Sequence, residues 1–115
     1  METSALQDLA VDALNDLKAI DLVALDVRGM TPITDVMIIC TGTSTRHVKS
    51  LAESVVKKAK EAKLKYIKME GGREAEWIIV DLGDVVVHVM QAVTREFYNL
   101  EDLWEANALT HTRHR

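Results

Sequence analysis

A chain of 115 residues and 12.9 kDa, 48% hydrophobic and 28% charged, has room for one packed core and no second domain. Its net charge of −4 argues against sequence-independent binding to a phosphate backbone, though an acidic domain can still dock on a basic protein of a nucleoprotein. The single cysteine, Cys40, excludes an internal disulfide and a cysteine-based zinc site. No basic, apolar leader and no run of membrane-span length is visible, so the expected compartment is the cytoplasm, or an organelle matrix if a transit peptide has been removed.

The first expected element is an amphipathic helix. Leu6, Leu9, Ala10, Ala13, Leu14 and Leu17 recur at three- and four-residue spacing, and Ser4 with Gln7 resembles a capping box. Asp8, Asp12 and Asp16 form an acidic stripe at like-charge i,i+4 spacing, which suits a solvated face or a basic neighbour. LVALDV (22–27) predicts a strand, closed by RGMTP, where Pro32 ends ladder pairing. DVMIICT (35–41) predicts a central strand, apolar on both faces, with Cys40 as a small buried hydrophobe. Gly42 ends it, and Thr43 or Ser44 caps a helix whose buried stripe is Val48, Leu51, Ala52, Val55 and Ala59. Lys57, Lys58 and Lys60 crowd the last turns of that helix, where cations suit its dipole. LKYIKM (64–69) alternates like an edge strand with outward lysines, and EGGREAE reads as a charged loop. WIIVDLGDVVVHVM (77–90) reads as two strands around Gly83, and AVTREFYNLEDLW (92–104) as a helix broken near Asn99, with Phe97 in the core behind Val93. From Glu105 onward no apolar period is present, so the tail is expected to fray.

The hairpin carries the residues that could do chemistry. A two-residue Leu82–Gly83 loop would set Asp81 opposite Asp84, and like charges facing each other cost stability. A three-residue loop with a left-handed Gly83 and a bulge avoids that pairing and is the expected turn. Beyond it, Val85, Val87 and Val89 share a core face, while Asp84, Val86, His88 and Met90 share a face suited to a partner or pocket. Asp81 and Asp84 flank a glycine turn, where aspartate is common for its local backbone bonds. They are not two apart on one strand, as a paired metal site needs, and the four histidines show no ligand spacing. GTSTRH (42–47) could hold an anion on its N–H groups, yet it lacks the lysine and second glycine of a phosphate loop. No catalytic, cofactor-binding or metal residue is therefore assigned. The aromatic side chains Trp77 and Tyr98 point instead to a protein interface, and Trp104 is divided between an interface and a small cluster.

DVMIICTGTSTRHV, EWIIVDLGDVVVHVMQ and REFYNLEDLW, with LQDLAVDALNDLKAIDLVALDVRG before them, closely resemble the bacterial ribosomal silencing factors, the Iojap-related proteins, over residues 5–104. The resemblance implies an α/β (α+β) fold, a mixed five-stranded sheet flanked by helices, similar to the nucleotidyltransferase fold. A single domain is expected over residues 1–104; the tail over 105–115 lies outside the resemblance and, lacking an apolar period, is expected to be flexible. The resemblance further implies a non-enzymatic translational repressor without cofactor or metal. Members bind the large ribosomal subunit through its ribosomal protein fourteen and block joining of the small subunit when nutrients are scarce; organellar relatives act in large-subunit biogenesis. Matched residue by residue, Trp77 is an apolar anchor, Glu70, Glu76 and Asp84 are charge partners for the basic protein, and Tyr98 and Leu100 complete the patch. His88 and Arg95 belong to the same motif, with structural and interface roles both open. No membrane contact and no sequence-specific nucleic acid contact is implied, and a homodimer of the free protein stays open. The alternative from another class is a nucleotide-binding or nucleotidyl-transferring enzyme using GTSTRH and Asp81/Asp84.

Overall fold

The computed structural model describes residues 1–71, 74–105 and 111–114, with side chains placed up to residue 102. In chain order the elements are α1 (Thr3–Asp16), β1 (Ile20–Asp26), β2 (Val36–Gly42), α2 (Thr45–Glu61), β3 (Lys68–Gly71), β4 (Trp77–Asp81), β5 (Val85–Gln91), α3 (Ala92–Tyr98), α4 (Leu100–Glu105) and β6 (His111–His114). The strands form one mixed sheet in the order β3-β4-β5-β2-β1-β6. β2 and β5 run parallel at its centre, and every other neighbouring pair is antiparallel.

The mixed sheet flanked by helices is the expected architecture, and among the described residues a sixth strand joins the five anticipated ones. The sixth comes from the tail, where His111–His114 pair with Leu22–Leu25 on the outer edge of β1. Edge pairing engages main-chain groups, so it needs no apolar period and leaves no such mark in the sequence. Two boundaries also move. α1 starts at Thr3 behind Glu2, whose carbonyl accepts from Leu6 N–H at 2.9 Å, so Ser4 lies inside the helix and no capping box forms. The edge strand begins only at Lys68, because Leu64 and Ile67 turn inward against the core at the end of α2.

One face of the sheet is covered by α1 and α2. The expected stripe of α2, Val48, Leu51, Ala52, Val55 and Ala59, is fully buried there against Ile38, Cys40, Val87 and Val89. Burying side chains of this size contributes roughly 1.5–3 kcal/mol for each of the larger ones, which anchors the helix. Gly42 lets the two elements close, since a Cβ at that position would lie 2.7 Å from Val48 Cγ2 and 3.0 Å from the Val48 backbone nitrogen. His47 ties the ends together: its Nδ1 accepts from Thr43 N–H at 2.9 Å, which leaves Nε2–H to donate to Leu17 O at 2.7 Å. The acidic stripe of α1 is not simply solvated, since Asp16 reaches Lys58 on α2 at 2.8 Å.

The second face is built from Val23, Leu25, Val27, Met37, Ile39 and Met90, with Trp77 and Leu100 packed against it. Among the described residues, the helices that lie on it are the short α3 and α4, and Met30 from the β1–β2 loop packs against it as well. The β4–β5 turn at its far end differs from the expected form. Asp81 pairs with Val86, Leu82 N–H donates to Val85 O at 2.9 Å, and the loop is Gly83–Asp84. Gly83 has a φ of +90° and Asp84 does not share it, the pattern of a two-residue turn with glycine in its first central position. This register keeps Asp84 in the loop, so the repulsive pair never forms and no bulge is needed.

Candidate docking surface

Strand alternation places Trp77, Ile79 and Asp81 of β4 on the second face, opposite Met90, His88 and Val86 of β5. Trp77 is half-buried, and its indole Nε1–H donates to His88 Nδ1 at 2.9 Å. That bond puts the His88 proton on Nε2. His88 is buried, and burial lowers its pKa from 6.5 to about 4, so it serves the tryptophan as a neutral acceptor. On its other side the Trp77 ring lies 4.9 Å from the Tyr98 ring, and Tyr98 meets Phe97 edge-on at 5.0 Å.

Phe97 is not in the core. It is 79% exposed and Val93 is 81% exposed, so the pair forms an apolar ridge along the outer side of α3. The buried position of this seven-residue helix is Arg95. Its Nε–H donates to Glu101 Oε1 at 2.6 Å and its Nη1–H to Thr41 Oγ1 at 2.9 Å, which pins α3 to both α4 and β2. An i,i+4 apolar pair and a lone arginine gave no sign that the arginine would face inward. The pair is the ordinary signature of a buried stripe, and the reversal depends on Thr41 and Glu101 waiting beneath the helix.

The structure therefore brings Trp77, Tyr98 and Leu100 together on one face. Glu70 on β3 joins them at the edge, opposite Ile79 of β4 and paired with Lys68 at 3.0 Å. Glu76 is exposed one residue before Trp77, with its carbonyl accepting from Gln91 N–H at 2.9 Å. Asp84 stands apart. Five strand steps separate Trp77 from Leu82 at the turn, roughly 17 Å, and Asp84 there accepts from Thr3 Oγ1 at 3.2 Å. The side chain of Trp104 lies outside the described residues.

The groups that suggested chemistry are engaged locally. Asp81 Oδ1 accepts from Gly83 N–H at 2.8 Å, which fixes the turn. In the GTSTRH loop, Thr43 N–H goes to His47, and His47 N–H goes to Ser44 Oγ at 3.1 Å, so two N–H groups that an anion would use are taken. A cavity of about 560 Å³ opens at the ends of β2 and β5, lined by Thr41, Gly42, Thr43, Asp21, Arg95 and Glu101, but its arginine is held by Glu101. Burial pushes the Cys40 thiol up to about 12. Among the described residues no group of three or more histidines, cysteines and carboxylates is arranged to hold a metal ion, and no helix is long and apolar enough to cross a membrane.

Fold and surface together define a small mixed-sheet α+β domain with an aromatic patch on the sheet face that carries α3 and α4. The chain belongs to the ribosomal silencing factor family. The family model described as ribosomal silencing factor during starvation matches residues 1–114, which carries the likeness through the tail as well. The chain is 47% identical over 100 residues to a ribosomal silencing factor of Haemophilus influenzae, covering 87% of this chain and 98% of that protein. It is 38% identical over 100 residues to the mitochondrial assembly of ribosomal large subunit protein 1 of Mus musculus, covering 84% of this chain and 44% of that one. A crystal structure of a Chromobacterium violaceum protein superposes with a TM-score of 0.88 at 45% identity, over 91% of this chain and 88% of that one.

Proposed function

We propose that this protein is a cytoplasmic translational repressor that docks on the large ribosomal subunit, through ribosomal protein fourteen, and keeps the small subunit away by occupying its place. Family membership supports a role in ribosome silencing, and the names of the bacterial and mouse relatives connect the family to the ribosome and its large subunit. The observation that carries the docking site is Trp77, half-exposed yet held in one orientation by His88 and Tyr98. A large ring fixed before binding loses little freedom on binding, which is what a central interface anchor needs. Leu100 extends the apolar centre, and Glu70 and Glu76 supply charge for a basic partner at its rim. Asp84 takes part only where the footprint reaches the turn. The mechanism needs no reacting group, since a rigid body at the joining surface suffices, and its natural setting is nutrient scarcity.

The test is co-sedimentation with isolated large and small subunits, separately, at low and moderate salt. Binding to the large subunit alone, weakened at least tenfold by Trp77→Ala and Tyr98→Ala, is expected. Absence of binding by the unaltered protein at low salt refutes the reading. Self-association of the free protein through the exposed Val93–Phe97 ridge is the competing use of this surface. Sedimentation velocity on the protein alone detects it.

A further inference from the structure

A different part of the surface borders that face, meeting it where Lys68 pairs with Glu70 and where the Tyr66 hydroxyl donates to Asp81 Oδ2 at 3.4 Å. Residues 57–68, which end α2 and lead into β3, contain six lysines and one carboxylate, Glu61. The segment carries +5 in a chain of net charge −4, so the remainder carries −9. Lys58 is committed to Asp16 at 2.8 Å and Lys68 to Glu70 at 3.0 Å. Among the described residues no carboxylate forms an ion pair with Lys57, Lys60, Lys63 or Lys65, and all four are exposed. A favourable helix dipole accounts for Lys57 and Lys60 but not for Lys63 and Lys65, which lie beyond the end of α2. Lys63 also sits at a φ of +61° where α2 closes, with Leu64 N–H reaching back to Ala59 O at 3.1 Å. Glycine fills that left-handed position without strain, and lysine does not. Between these lysines Tyr66 is 53% exposed.

We propose that this corner is a second contact, made with the phosphate backbone of RNA on the large subunit and independent of base sequence. It rests on the docking function proposed above. Charges further away than about 10 Å are screened at 0.1 M salt, so a nucleic acid strand laid here meets the local lysines rather than the net charge. Four compact ammonium groups on flexible stems suit a row of phosphates, whereas an acidic protein surface is better met by the planar fork of arginine. The open ring of Tyr66 adds a face on which an unpaired base can stack. Two adjoining contacts of different chemistry, aromatic on protein and basic on RNA, would fix the orientation that steric exclusion requires.

The test compares the unaltered protein with a Lys57→Gln, Lys60→Gln, Lys63→Gly, Lys65→Gln variant for binding to isolated large subunits between 50 and 200 mM salt. Each phosphate contact adds roughly 0.7–0.9 to the slope of log affinity against log salt. The variant is therefore expected to lose a slope of about 3 and at least tenfold in affinity at the low-salt end. An unchanged slope and affinity overturn the proposal while leaving the docking function intact, provided Trp77→Ala is defective. Failure of the unaltered protein to bind sinks both. Lys18 occupies the same left-handed position at the end of α1, with a φ of +59°, and serves as the control. Lys63→Gly and Lys18→Gly are each expected to raise the melting temperature by a few degrees, but Lys63→Gly alone weakens binding. Equal binding by both opposes a role for Lys63. Finally, a photo-reactive azidophenylalanine in place of Tyr66 should cross-link to ribosomal RNA; a cross-link to a ribosomal protein alone overturns the assignment.

Discussion

Replacing Arg95 with methionine keeps an unbranched apolar stem and removes the guanidinium that ties α3 and α4 to the sheet. The Arg95 side chain is 10% exposed and that of Glu101 17%, so the pair is largely withdrawn from water. The change deletes a charge-assisted bond of 2.6 Å to Glu101 and a bond of 2.9 Å to the Thr41 hydroxyl. Removing one partner of a fully buried pair costs about 3–5 kcal/mol, because the other charge is left without compensation. Water at the residual exposure of Glu101 reduces that figure, and the Thr41 bond adds about 1 kcal/mol, which sets the expectation at about 2–4 kcal/mol. At about 4 °C per kcal/mol for a domain of this size, the melting temperature should fall by about 8–16 °C. Urea unfolding followed by circular dichroism measures the loss, and Trp77 emission should shift as well, since Tyr98 on α3 packs 4.9 Å away. Adding Glu101→Leu removes the stranded charge and should restore at least 1 kcal/mol, roughly a quarter to a half of the loss. A single variant within about 0.5 kcal/mol of the parent, or a double variant with no recovery, refutes the reasoning.

Stability should also fall with acidity through His88. Its folded pKa of about 4 lies below the unfolded value of 6.5, so the unfolded chain binds the extra proton between them. The contribution is fully present above about pH 6.5 and is lost at up to ~1.4 kcal/mol per pH unit towards pH 4; urea midpoints at pH 7.5, 6 and 5 measure it, and His88→Gln should flatten the profile. Gly42→Ala should destabilise by about 1–3 kcal/mol, because the new methyl meets the Val48 backbone nitrogen, which is fixed in the first turn of α2 by its bond to Ser44 O at 2.9 Å. Thermal unfolding tests it, and a variant as stable as the parent would show that α2 can shift. Cys40 should react with a thiol reagent only as fast as the protein unfolds, since its thiol is buried and raised to about 12; fast labelling under native conditions would contradict the packing.

Much of this fold is written in periodicity. The five apolar positions of α2 are the five that the structure buries, and the two-sided apolar run of β2 lies between β5 and β1, packed on both faces. Repeats of 3.6 and 2 residues record which side of an element meets the core, and local sequence suffices to read them. The candidate site was legible to the extent that Trp77, Tyr98 and Leu100 carry the family motif and do meet on one face. Tertiary structure decided the rest. Arg95 faces inward because Thr41, 54 residues earlier, supplies its acceptor, and that exchange turns Val93 and Phe97 outward. The β4–β5 register decided that Asp84 belongs to a turn far from Trp77, and an open edge on β1 decided that His111–His114 become a strand. For Arg95 and for the tail strand, the environment comes from chain segments distant in sequence, whereas the turn follows from the pairing of two consecutive strands. A polar group's place depends on what is set opposite it, and a one-dimensional pattern does not contain that partner.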